Sequence, residues 1–416
     1  MRKIVVVLAT LAGACGGNSH GQSDATAPPA DAAIDGAPTI SELCGTSASG
    51  SGWQRCDANP LVTGMRPSAD GRIEWTQADP TVMYDADDKL WKAWWSTVIT
   101  ADCSKLGTAE DVHEIDIKYA YSSDGLSWTI QAEPVLRSNV NPEEWDDTTV
   151  ETPTVIKDPS AAPDHRYAMI YSGGNNAQLM VMGQTGWQLG LAFSADGTQF
   201  TKLPAAESPY AGKSTPFTQI DGLLLLSTDA FPSLSNLQPG IVADPELHVI
   251  GSTYDLYFSS LAVSAGTAVA YGISHATSTD LIHWTMTATN PVIDGGQTPA
   301  VQIGDDGTRT LWYHLDTDTS SEPSALFPTL GVWKVTSSDG IAFSAQATSR
   351  DLQWNSSYSY ETYGWLPGVA VARGPDGIDR MYYSGWGSQP APTGSCVFTK
   401  TGMVPGTASF DLATEP

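Results

Sequence analysis

The chain is short of cations: its 416 residues carry 20 Lys and Arg against 46 Asp and Glu, a formal net charge of −26. A surface this acidic repels phosphate backbones, which excludes nucleic acid as a partner. Cysteine is scarce as well, five in all. None lies in a CxxC pair or has a His at ligand spacing, which argues against zinc. No GxSxG, HExxH or Walker-type loop occurs, so the chemistries that depend on them are set aside. Beyond the N-terminus no segment shows a sustained 3.6-residue apolar period, which leaves an all-β reading.

The first residues read as an export signal. MRK supplies positive charge, IVVVLATLAGA an apolar run too short to span a bilayer, and Cys15 follows small residues in AGACGG. The position of Cys15 resembles a bacterial lipobox, with Ala12 where Leu is usual. That resemblance implies that residues 1–15 are a lipoprotein signal ending at a lipidated Cys15; the alternative is a soluble exported protein. Residues 16–40 are rich in Gly, Ala, Pro, Ser and Asp and have no large apolar side chains apart from Ile34 and Ile40. Such a segment buries too little to offset its ordering entropy, so it is expected to be a tether for a domain spanning 41–416.

What the chain has in quantity is aromatic residues, 14 Trp and 15 Tyr. It also has two repeated elements. One reads YAYSSDGLSWT (119–129), LAFSADGTQFTK (191–202), HATSTDLIHWT (275–285) and VTSSDGIAFS (335–344). Ser-x-Asp-Gly supplies the positive φ of a tight hairpin, and the aromatic packs beneath it. This assigns Asp124, Asp196, Asp280 and Asp339 to turns, and Trp128 and Trp284 to packing. The other element is a short strand after a Pro, a polar turn and an aromatic-rich strand. It recurs at Pro80, Pro153, Pro245, Pro299 and Pro367, and Pro is at home at the first residue of a strand. Together they give a four-stranded antiparallel unit. Five such units predict a five-bladed β-propeller, with TPFTQIDGLLLLSTD (215–229) as extra strands in an insertion. His248 and His314 lie on predicted strands without ligand spacing and read as core residues.

In a propeller the Pro-led strands line the central channel, and residues beside each Pro face its mouth. Those residues are Asp79, Glu151, Asp244, Glu246, Gln297 and Glu361. Carboxylates gathered in one funnel suit glycosidic hydrolysis, in which one protonated carboxyl donates to the leaving oxygen and an ionised one activates water or attacks. Crowding separates the two roles by raising one pKa. Trp75, Trp145, Trp365 and Trp386 are the candidate sugar-stacking walls. An acidic channel can hold calcium, but no loop here carries a calcium motif. No cofactor or metal is expected.

The DP-x-V and aromatic-Tyr-Ser strands, with the SSDGLSW and STDLIHW turns, resemble the five-bladed glycoside hydrolases of families 43 and 32, the arabinanase, levansucrase and invertase group. The likeness runs from about residue 70 to the C-terminus. It implies a first-unit Asp as base or nucleophile, which Asp79 matches, a second-unit Asp that modulates, and a third-unit Glu as acid. The chain departs from this at Glu151, where Asp is implied, and at Asp244, where Glu is implied. Glu151 and Asp244 or Glu246 therefore share the acid and modulating roles, in either order. The function implied is hydrolysis of an oligo- or polysaccharide by an exported monomer that meets a membrane only through its lipid. The alternative is a non-catalytic propeller that binds glycan or protein.

Four cysteines remain for an oxidising compartment: Cys44, Cys56, Cys103 and Cys396. They allow three disulfide pairings that spacing does not separate. If a propeller closes by joining its ends, Cys103 in the first unit meets Cys396 in the last, leaving Cys44 with Cys56.

Overall fold

Each Pro-led segment is a strand with the same defect near its start. In the computed structural model, Ala78–Asp85, Thr149–Lys157, Gln238–Ile250, Gly296–Ile303 and Gly364–Arg373 each pair antiparallel with the strand that follows. Each pairing is broken by a bulge that leaves two inner-strand residues unpaired, between Ala78 and Thr81, Glu151 and Thr154, Ala243 and Glu246, Gln297 and Ala300, and Leu366 and Val369. The Pro explains the break, because it has no N–H to give the ladder. The structure describes residues 44, 52–64, 66–68, 71–74, 76–100, 113–138, 144–175, 186–315, 331–346, 349–362, 364–387 and 407–415.

Each inner strand begins a curled antiparallel sheet. The first runs through Ala78–Asp85, Leu90–Thr100, His113–Ser122 and Thr129–Ile130, and the second through Thr149–Lys157, Tyr167–Gly174, Gln188–Ser194 and Thr201–Lys202. A parallel pairing of Ile115 with Thr149 joins these two. Gln238–Ile250, Thr253–Ser264 and Thr267–Ser278 form a long third meander edged by Thr285–Met286. The fourth is Gly296–Ile303, Arg309–Leu315, Gly331–Ser337 and Leu352–Gln353. The expected insertion adds one strand, Leu223–Leu225, to the second sheet. The inner strands pack side by side in chain order, and the last lies against the first. The fold is all-β and propeller-like, and its helical content among the described residues is confined to short 3-10 turns.

Closure joins the two ends of the chain by strand pairing. Gly364–Arg373, Asp379–Gly387 and Thr407–Glu415 are completed by Gln54–Arg55 from the N-terminal side, with Gln54 opposite Thr414. This explains why the last unit has no Ser-Asp turn: its outer strand does not follow its third in sequence. Cys44 and Cys56 form a disulfide beside this strand, in a core with Val82, Trp91, Tyr382 and Phe410. Cys15, Cys103, Cys396 and Trp75 lie outside the described residues.

The Ser-Asp motif folds the same way four times. Ser122, Ser194, Ser278 and Ser337 each accept an N–H through Oγ from the residue three positions on. The Asp then accepts backbone N–H groups of the turn, as Asp124 does from Leu126 and Ser127. The residue after the Asp needs a positive φ: Gly125, Gly197 and Gly340 supply it at 77–84°. Leu281 takes 67° in the third copy, a conformation costing a side chain about 1 kcal/mol, which burial of Leu281 in the core offsets. Trp128 packs edge-on to Tyr382 and Phe410, joining the first sheet to the last.

Candidate active site

The five bulges converge on the axis. Asp79, Thr152, Asp244 and Thr298, each just before its Pro, hold φ of 51°, 48°, 51° and 50°. Non-glycine residues seldom adopt this region, and such strain gathers at functional sites. Together with Pro80, Pro153, Pro245, Pro299, Glu246, Gly368 and Val369 they line a narrow channel with about 30 Å³ of free volume. That is room for water, not for a sugar ring. Gly368 makes the close approach feasible: a Cβ there would lie 2.8 Å from Asp79 Oδ1.

The carboxyls of Asp244 and Glu151 both act on that of Asp79. Asp79 is only partly exposed to the channel, and burial raises its pKa well above the carboxylate range. Repulsion from Asp244 and then Glu151 adds to the rise, and a hydrogen bond from the Ser96 hydroxyl opposes it. Asp244 is pushed up to about 6 by burial, with Ser259 opposing. Glu151 stands one residue earlier in its unit than Asp79 and Asp244 do in theirs, since it pairs with Ser172 as Ala78 pairs with Ser96. Its Oε1 accepts from Thr149 Oγ1 at 2.8 Å and Trp187 Nε1 at 2.5 Å. Sequence reasoning passed over Trp187; its signal was a Trp at the start of a strand, in TGWQLG, without the Pro or Ser-Asp marks of either repeat.

Several expected site residues are structural. Glu246 follows the bulge, so it does not share a face with Asp244 in a regular strand. Its Oε1 accepts from the Val301 N–H of the next unit at 3.1 Å and lies 2.9 Å from His248 Nε2, the place that Thr154 Oγ1 takes toward Leu247. Glu361 is fully buried and bound to Arg55 at 2.6 and 2.8 Å, with Tyr383 also donating to it. It anchors the N-terminal strand rather than facing a ligand. Trp145 and Trp365 have no exposed surface and stack on Tyr171 and Tyr383, and Trp386 is 8 % exposed. Burying so large a ring in these cores outweighs offering it to solvent. His314 is a core residue as expected, edge-on to Trp365. Gln297 stands one residue before the channel-lining Thr298 and accepts from Tyr271 OH at 3.1 Å.

A larger cavity of about 270 Å³ lies away from the axis, lined by Arg137, Glu144, Phe200 and Lys202 among others. Lys202 is held there by Glu144 and Asp146 at 2.6 and 2.8 Å. Among the described residues no group of three or more His, Cys, Asp or Glu is arranged to hold a metal, and no helix is long and apolar enough to cross a membrane.

With this geometry in hand, the chain can be set beside known proteins. No family model and no curated protein matches it. Solved structures do. A complex of BT0996 with RGII matches at TM-score 0.55 and 14 % identity over 86 % of this chain and 91 % of that one. A glycoside hydrolase matches at 0.54 and 15 %, over 85 % and 92 %. A member of the GH130 family of mannoside phosphorylases, which contains glycoside hydrolases that target beta-1,2 mannosidic linkages in Candida mannan, matches at 0.53 and 14 %, over 88 % and 95 %. At these identities the likeness establishes the fold: the all-β, propeller-type architecture of glycoside hydrolases.

Proposed function

We propose that the protein is a five-bladed propeller glycoside hydrolase acting on an oligo- or polysaccharide, with its acid and base drawn from successive units at the axis. The observation that carries this is the environment of Asp79, whose pKa is raised well above the ordinary carboxylate range by burial and by repulsion from Asp244 and Glu151. A protonated acid beside a second carboxylate is the pairing that glycosidic cleavage needs. Asp79 takes the role of acid, in place of the base or nucleophile role implied by the resemblance. It protonates the glycosidic oxygen as the bond breaks. Glu151, already an acceptor, takes the proton of the attacking water, while Asp244 tunes Asp79. The sugar lies across the mouth of the channel, because about 30 Å³ admits water alone. The fold shared with glycoside hydrolases supports the reading.

The alternative is a propeller that binds glycan without cleaving it. The narrow channel and the buried Trp145, Trp365 and Trp386 favour it. A screen of nitrophenyl glycosides and polysaccharides separates the two. Turnover abolished by Asp79→Asn supports the hydrolase; retention of a polysaccharide without release of reducing ends supports the binder. We also place the protein outside the cytoplasm as a monomer, tethered through Cys15 and residues 16–40. Cys15→Ser moves it from the membrane to the soluble fraction if this is right; an unchanged distribution contradicts the tether.

A further inference from the structure

A Ser after an aromatic residue recurs in the second strands without a role in the sequence reading, and the structure supplies one. Ser96, Ser172 and Ser259 stand at the same place in the first three units, opposite Ala78, Glu151 and Ala243. All three are buried, at 3 %, 0 % and 4 % exposure. Each Oγ accepts the pre-proline N–H of the next unit: Thr152 to Ser96 at 2.7 Å, Asp244 to Ser172 at 2.9 Å and Thr298 to Ser259 at 2.8 Å. Within its own unit, the same hydroxyl meets the pre-proline side chain, so Ser96 meets Asp79 and Ser259 meets Asp244, whereas Ser172 meets only Thr152 Oγ1.

We infer that Ser96 is a positioning residue: one hydroxyl, donating to the Asp79 carboxyl and accepting the N–H of Thr152, fixes the acid and the Glu151-bearing strand relative to each other. A hydroxyl can give one proton and accept at the same time, so Ser96 donates to the Asp79 carboxyl beside it while its oxygen takes the N–H of Thr152. The strained φ of 48° at Thr152 turns that N–H toward Ser96 instead of the ladder. Ser96 thus does in the first unit what Ser259 does for Asp244 in the third. Ser172 is a built-in control, with the same buried position and the same backbone donor but no carboxyl.

This inference rests on the proposed roles of Asp79 and Glu151, and its test does not require turnover. Side-chain carboxyl signals of 13C-labelled Asp are titrated in the full chain, with Asp79→Asn assigning the Asp79 signal. Ser96→Ala raises the Asp79 midpoint by about one pH unit, the worth of one hydrogen bond to the charged form. Ser96→Cys, which keeps the volume with a weaker donor, moves it the same way by less. Ser172→Ala leaves it in place. An unmoved midpoint in both Ser96 variants, or an equal shift in Ser172→Ala, overturns the inference. If the shifts appear but the wild-type protein cleaves no glycoside, the positioning stands and the hydrolase reading falls. If activity is found, its basic limb moves up with the Asp79 midpoint in Ser96→Ala.

Discussion

Aspartates at the two repeated sites of one unit have opposite fates. In the Ser-Asp turns, Asp339 is held down to about 2 by the backbone N–H groups of Ala342 and Ile341 and the Ser337 hydroxyl. Asp280 also sits at about 2: burial acts against it, but the backbone and ring of His283 outweigh burial. At the axis, Asp79 and Asp244 go up, and the main cause is burial with a single Ser hydroxyl opposing it. Burial alone does not decide the outcome, since the Asp85 side chain is fully buried and yet pushed far down. Burial again works to raise it, but hydrogen bonds from Lys157, Tyr167 and Lys92 prevail. Among these five aspartates, the donors aimed at the carboxyl decide the direction of the shift.

The comparison breaks first at Asp79. Asp79→Asn removes the proton donor, and hydrolysis is expected to fall by about 10²–10⁴-fold with the melting temperature little changed, since Asn matches the neutral form of the carboxyl that burial favours. Asp85→Ala removes the buried acceptor shared by Lys92, Lys157 and Tyr167 and leaves the two lysines only the outer carboxylates of Asp88 and Asp87, with an expected loss of about 3 kcal/mol, read by urea unfolding.

The third test concerns pH. Asp244 keeps its proton to about 6 in the fold against 3.8 ordinarily, so the folded state binds more protons in that interval. Its contribution to stability is complete below about pH 4 and is lost as pH rises through about 6. Asp244→Asn flattens that fall in melting temperature; an unchanged slope would remove Asp244 from the axial cluster. The smallest effect belongs to the turns: Asp124→Ala, which frees the N–H groups of Leu126 and Ser127, costs about 1 kcal/mol and leaves hydrolysis at the wild-type rate.

The elements most legible in the sequence were those whose physics is local. Ser122, Asp124 and Gly125 satisfy one another within four residues, so the turn is written in one place. Each Pro marks a bulge because it lacks a donor, whatever surrounds it. Features that depend on distant partners were hidden. Glu361 looked like a funnel carboxylate because Arg55, its partner, lies 306 residues away. Trp145 looked exposed because Tyr171, which buries it, belongs to another strand. The role of Glu246 turned on the bulge itself, which changes the face of every later residue in the strand. That Asp79 and Asp244 line one channel followed from the repeat. The one-residue offset of Glu151 did not, because only the ladder shows that it pairs with Ser172.

The most direct measurement sets two aspartates of the first unit side by side. Reducing-end release from a cleaved polysaccharide is followed for wild type, Asp79→Asn and Asp124→Asn at one temperature below all three melting points. The donor-based account predicts that Asp79→Asn is inactive while Asp124→Asn keeps the wild-type rate on a less stable fold. Full activity in Asp79→Asn, or equal loss in both, would contradict it.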